Sequence, residues 1–181
     1  MAMQHTPLLM SNILDRGAKV APNEEIVTAT ENGVRRQTYK ETRDRAHQLA
    51  HALRDAGIEV GDRVGTFMWN GSRHLEAYHA TAGMGAVLHT LNIRLSDNDL
   101  EYIIDHARDK VIIADADTLP LLDKLKGRMP SVERIIVAVE DGFENWDTDL
   151  PDPIDYEAFI AGKPTQYDWP QIDENSPLGL C

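Results

Sequence analysis

The chain has 181 residues, room for one ordinary domain or one domain with a tail, and its 42% hydrophobic and 27% charged residues suit a soluble globular fold. The formal charge of −12 is local: residues 140–181 carry eleven acidic residues and one basic residue, whereas the first 139 carry nineteen and seventeen. An acidic tail on a near-neutral body, with no lysine and arginine stripe, argues against a nucleic-acid partner.

In chain order, residues 7–20 place Leu9, Ile13, Leu14 and Ala18 at helical spacing ahead of Pro22, which predicts a short helix. Residues 25–39 read as a hairpin with Glu31-Asn32-Gly33 at its turn, Asn-Gly supplying the positive φ that a tight turn demands. Thr38 and Glu41 make a T-x-x-E capping box. The helix it opens carries Ala46, Leu49, Ala50, Leu53 and Ala56 on one face and stops at Gly57.

The stretch 61–92 then reads as one β-α-β crossover: an apolar run from Val64 to Trp69, a helix with Leu75, Tyr78, Ala82 and Ala86 inward, and a second run from Ala86 to Leu91. Ser96 with Asp99 predicts another cap, before a helix striped by Leu100, Ile103, Ile104 and Ala107. A strand follows over 110–114, a helix over 117–126 ending at Gly127 and Pro130, and a strand over 134–139. The fold class is therefore α/β: an open, mostly parallel sheet flanked by helices, with an N-terminal helix and β-hairpin. Two regions are expected, an α/β body over 1–139 and an acidic extended segment over 140–181. Within the latter, residues 156–161 suit one helical turn, 165–177 an extended surface segment and 178–181 the first residues of a buried strand. A charge-rich tail of this kind is read as solvated.

Few constellations carry chemistry. His47 and His51 stand at i, i+4 on the capped helix, a spacing that holds zinc, but no third ligand accompanies them, so both are expected as solvated surface residues. His74 and His79, five apart, do not share a helix face. Gly83-Met84-Gly85 follows a helix and precedes a strand, the reverse of a phosphate-binding loop, and reads as a helix C-cap. Nothing matches G-x-x-x-x-G-K-[ST] or G-x-S-x-G, no metal site is expected, and no residue is singled out as catalytic. Cys181, the only cysteine, allows no internal disulfide, and no run reaches the ~18 apolar residues that span a bilayer. The start shows no signal-peptide pattern, so a cytoplasmic protein is expected. Asn92-Ile93-Arg94, just past the carboxyl end of a strand, is the most site-like feature, because open α/β sheets bind ligands there.

The order of these parts is more specific than any one of them. GDRV, WN, HLEAY, MGAVLHTLN and RLS, set within Thr38 to Ala138 and joined by Tyr167-Asp168-Trp169-Pro170 and Leu178 to Cys181, closely resemble the N-terminal segment of the AMP-forming acyl-CoA synthetases. The likeness is strongest to the medium- and long-chain fatty-acid–CoA ligases; Ile93 departs from the proline often found after the Asn. The resemblance implies an incomplete N-terminal part of the large domain of such an enzyme. The parent would convert fatty acid, ATP and CoA, with Mg, to acyl-CoA, AMP and pyrophosphate through an acyl-adenylate. It also implies that the phosphate loop would follow Leu180-Cys181, and the catalytic lysine further on. This chain alone is then expected to be inactive, to bind none of these cofactors tightly and to form a homodimer through an open sheet edge. By the same resemblance Asn92, Arg94 and Asp115 are candidates for the CoA channel. Two alternatives stand beside it: a stand-alone module that binds CoA or nucleotide without catalysis, and an interaction scaffold.

Overall fold

The computed structural model describes residues 6–140, 143 and 145–181. Helix α1 (Met10–Val20) ends before Pro22, as its pattern requires. Strands β1 (Glu25–Thr30) and β2 (Gly33–Thr38) form an antiparallel sheet of their own, Thr30 opposite Gly33. That register leaves Glu31 and Asn32 at the tip, and of the Asn-Gly pair only Gly33 has a positive φ (139°). Helix α2 (Tyr39–Asp55) opens on the expected capping box: Glu41 N–H donates to Thr38 Oγ1 at 3.1 Å and Thr38 N–H to Glu41 Oε2 at 2.8 Å. Its Ala46, Leu49, Ala50 and Leu53 have no solvent exposure.

The main sheet gathers β3 (Arg63–Phe67), β4 (Val87–Thr90), β5 (Asp109–Asp115), β6 (Arg134–Ala138) and the two-residue strands β7 (Ile154–Asp155) and β8 (Gly179–Leu180). The order is β7-β6-β5-β3-β4-β8 and every pairing is parallel. Crossovers run through α3 (Ser72–Gly83), α4 (Asp97–Ala107) and α5 (Leu119–Asp123), and α6 (Tyr156–Ile160) follows β7. Parallel strands need cover on both faces, and β5 supplies apolar residues to each. Val111 and Ile113 meet Leu49, Leu53, Ala77 and Ala80 from α2 and α3, whereas Ile112 and Ala114 meet Leu100, Ile104, Leu119 and Leu122 from α4 and α5. This is the expected open α/β sheet flanked by helices.

Several local expectations are revised. In α3 the expected Ala82 is buried, as is Ala86 past its end, but Tyr78 is 40% exposed, and Ala77 and Ala80 with the polar Glu76, His79 and Thr81 also lie on the inward face. Small residues win there because α3 lies between the sheet, α1 and α2, and only short side chains admit helices on two sides. The expected helix over 117–126 contracts to a 3₁₀ turn (Ala116–Thr118) and α5. Thr118 Oγ1 donates to the Phe67 and Asp115 carbonyls, at 3.0 and 2.7 Å, and holds that turn tight. The turn-rich stretch after 140 lies partly outside the described residues. Beyond it the chain returns to the core: Tyr156, Phe159, Ile160 and Tyr167 are buried against α2. The strand expected at 178–181 is present and pairs with β4, but it is not buried, Leu178 and Leu180 being 50% and 40% exposed.

Gly65, in the middle of β3, marks a tight point at the centre of the sheet. A Cβ there would lie 3.1 Å from Ile112 Cγ1, 3.2 Å from Leu91 Cδ1 and 3.4 Å from Asp109 Oδ2. The last of these bonds His89 Nδ1 at 2.8 Å in a buried pair that crosses β3. Overpacking of this kind costs about 1–3 kcal/mol. Gly65→Ala is therefore expected to lower the urea unfolding free energy by about that amount; an unchanged midpoint would refute the account of this contact.

Candidate functional site

The strand order reverses at β3. The first crossover leads from β3 to β4 on one side, and the next returns past β3 to β5 on the other. Helices α3 and α4 thus cover opposite faces, and a crevice opens between the carboxyl ends of β3 and β5, where doubly wound sheets bind ligands. A cavity of about 420 Å³ lies there, lined by Met68 to Gly71 after β3, by Asp115 to Asp117 at the end of β5 and by Thr28 to Glu31 of the hairpin.

Asp115 is its most perturbed group. The residue is 6% exposed, and Trp69 N–H donates to Oδ2 at 2.6 Å. Burial pushes the carboxyl up to about 7, with the negative charges of Asp117 and Glu140 adding to the rise. Trp69 is 51% exposed, with its indole N–H donating to Asp117 Oδ2 at 2.9 Å, so one indole face is presented beside two carboxyl groups. His74 is held neutral: burial draws it below its usual range, Nδ1–H donates to the Trp69 carbonyl at 3.2 Å and Nε2 accepts from Thr66 Oγ1 at 3.0 Å. Glu140 accepts from Arg35 twice at 2.7 Å and from Arg73 at 2.8 Å, closing the rim. Among the described residues no serine, cysteine or lysine lines the cavity, and its distinguishing group is a buried carboxyl that holds a proton near neutrality.

The three sequence candidates do not converge. Asp115 lines the crevice, whereas Asn92 and Arg94 are exposed past β4, with β3 in between, and are not among the cavity residues. Asn92 Oδ1 accepts from Arg94 N–H at 3.0 Å, a local turn that fixes the backbone and leaves the Arg94 side chain outward. Trp69, Arg73 and Glu140 went unnoticed in the sequence, because only strand order brings them to Asp115. Among the described residues no group of three or more His, Cys, Asp or Glu side chains could hold a metal ion. His47, expected at the surface, is 2% exposed.

Residues 14–180 match the AMP-binding enzyme family. The chain belongs to that family. Similar proteins include the medium-chain-fatty-acid–CoA ligase of Ectopseudomonas oleovorans, 35% identical over 99% of this chain and 33% of the relative. A 3-methylmercaptopropionyl-CoA ligase of Ruegeria pomeroyi is 35% identical over 99% of this chain and 33% of its own length. The long-chain-fatty-acid–CoA ligase of Thermus thermophilus is 42% identical over 80% and 27%. Among solved structures, the anthranilate CoA ligase AuaEII in complex with anthranoyl-AMP shares the fold with a TM-score of 0.80, at 24% identity over 94% of this chain and 31% of that one. The chain thus spans about a third of the length of these relatives. The resemblance read from the sequence motifs is borne out: the chain belongs to the AMP-binding enzyme family, and these relatives are acyl-CoA ligases.

An aspartate held near 7 binds its proton in the folded chain across about pH 4–7, where the unfolded carboxyl has lost it. Its contribution to stability is therefore greatest below about pH 4 and is lost as pH rises towards 7. Asp115→Asn keeps an acceptor for Trp69 N–H and removes the titration. Urea unfolding at pH 4.5 and 7.5 should show the variant gaining on the wild type by on the order of 1 kcal/mol or more as pH rises; parallel pH profiles would contradict the buried-carboxyl assignment.

Proposed function

We propose that this chain is the N-terminal α/β part of a cytoplasmic fatty-acid–CoA ligase. That enzyme joins a fatty acid to AMP with release of pyrophosphate, then passes the acyl group to the CoA thiol. The observation that supports this most is the match to the medium-chain-fatty-acid–CoA ligase across 99% of the chain. In this reading the segment is scaffold and rim. Its parallel sheet sets a row of strand ends on one edge, and the exposed Arg94 past β4 offers a guanidinium to a CoA phosphate, with Asn92 holding the loop. Asp115, one strand further along the edge beyond β3, is nearer the crevice and would contact CoA only through its more extended part.

Adenylation asks for cations and amides around a pentacoordinate phosphorus. Among the described residues the arginines near the crevice are already engaged, Arg35 and Arg73 by Glu140 and Arg45 by Glu76 and Glu157. Among the described residues no group of three or more His, Cys, Asp or Glu side chains gathers for a metal ion, and no step of this reading runs through one. The chain by itself is accordingly assigned no turnover. A second reading, a module that binds CoA or a nucleotide without chemistry, draws support from the 420 Å³ crevice at the strand-order reversal.

In a full-length ligase built on this segment, Arg94→Ala should raise the KM for CoA roughly ten- to a hundredfold, the worth of a charge-assisted hydrogen bond. ATP–pyrophosphate exchange driven by the fatty acid should stay unchanged. A CoA dependence that does not move would remove Arg94 from the CoA path.

A further inference from the structure

His47 and His51 of α2 grip one peptide bond. The Tyr167 N–H donates to His47 Nδ1 at 2.7 Å, and His51 Nε2–H donates to the Gln166 carbonyl at 2.7 Å. N–H and C=O of a single trans peptide point to opposite sides, and two imidazoles one helical turn apart take one each. Both rings are fixed in the same neutral tautomer by what faces their other nitrogen. His47 Nε2–H donates to Asp15 Oδ1 at 2.9 Å, and His51 Nδ1 accepts from Arg54 Nη2 at 3.0 Å. A second proton on either ring would set N–H against N–H: at Tyr167 for His47, at the Arg54 guanidinium for His51.

The gripped segment runs over α1, α2 and α3 on its way to the sheet. Trp169 Nε1–H donates to Asp15 Oδ2 at 3.1 Å, and the Trp169 ring lies where a Cβ on Gly83 would fall, 2.8 Å from Cζ3. Nine residues beyond Trp169 the chain enters at Leu178 and pairs β8 with β4. We propose that His47 and His51 form a proton-operated clamp on the Gln166–Tyr167 peptide. With His47 neutral it holds residues 163–178 against the helices, and proton uptake at His47, which turns its acceptor for the Tyr167 N–H into a donor, releases them together with the seat of β8. The charged and titratable groups that face the clamp are Asp15 from α1, Arg43, Asp44 and Arg54 from α2, and Tyr167 of the gripped segment, whose ring lies 4.8 Å from that of His51; His79 from α3 faces Asp15. Burial draws His47 below its usual range against the pull of Asp15, so the closed clamp disfavours the proton. Its contribution is fully present above about pH 6.5, the unperturbed histidine value, and is lost as pH falls below it. This device is independent of the ligase reading.

Hydrogen exchange of the full chain, followed by mass spectrometry at pH 7.5 and 5.5 and scaled to intrinsic rates, tests it. Amides of residues 165–170 should lose protection about tenfold or more on acidification, since opening linked to one proton changes up to tenfold per pH unit, while β5 and β6 stay protected. In the double variant His47→Asn, His51→Gln the acceptor and donor are kept on side chains that do not titrate, and the pH response of 165–170 should flatten. The clamp is overturned if wild-type protection over 165–170 does not change, if it falls only in step with β5 and β6, or if the double variant responds to pH as the wild type does.

Discussion

Glu76 of α3 has no exposure to solvent, and a carboxylate in that position must be met on every side or the fold does not hold it. Oε1 accepts from Gln37 Nε2 of β2 and from Arg45 Nε of α2, both at 2.7 Å, and Oε2 accepts from the Tyr156 hydroxyl of α6 at 2.6 Å. Burial, and then the adjacent Glu76 charge, push Tyr156 well above the usual phenol range, so it stays a donor. One side chain thereby joins the hairpin, both long helices and the late helical turn. Arg45 continues outward to Glu157 at 2.8 and 2.9 Å, Glu157 to Arg73 at 3.0 Å, and Arg73 to Glu140 at 2.8 Å on the rim of the crevice. The crevice takes its shape from the same chain of charges that anchors the late segment.

This explains what becomes of the acidic tail. Its charge was read as solvated because eleven acids face one base within 140–181. Some of them have partners earlier in the chain, Arg35 and Arg73 for Glu140, Arg45 and Arg73 for Glu157 and Arg134 for Asp152, whereas Asp168, Asp173 and Glu174 are exposed as expected. Pairs separated by up to 112 residues leave no local pattern. Where a signal is local, reading from the sequence succeeded. The Thr38–Glu41 box, the cap at Ser96 and the glycine that ends α3, Gly85 with φ of 84°, all stand as the residues demanded. The inward reading of Tyr78 in α3 and the roles of His47 and His51 failed for the opposite reason: each is decided by a neighbour from another element.

The site follows the same division. Strand ends are visible in a sequence, which drew attention to Asn92 and Arg94, whereas Asp115 was a candidate through the family resemblance; strand order is not visible, so the crevice between β3 and β5 and its tie to Trp69 were missed. Membership of the AMP-binding family adds what geometry alone does not, a reaction class for the longer relatives of which this chain matches a third. What the chain itself shows is a doubly wound parallel sheet whose carboxyl edge is braced by an ion network anchored on the buried Glu76.

The most direct test of that bracing is a double-mutant cycle on Arg45 and Glu76, each replaced by alanine singly and together, with stability read from urea unfolding. If Glu76 is the node, the two losses are strongly non-additive, with a coupling of about 1–3 kcal/mol, because the first truncation already strands its partner. Additive losses, with a coupling within about 0.5 kcal/mol of zero, would mean that the elements are held by apolar packing alone and that the network only decorates them.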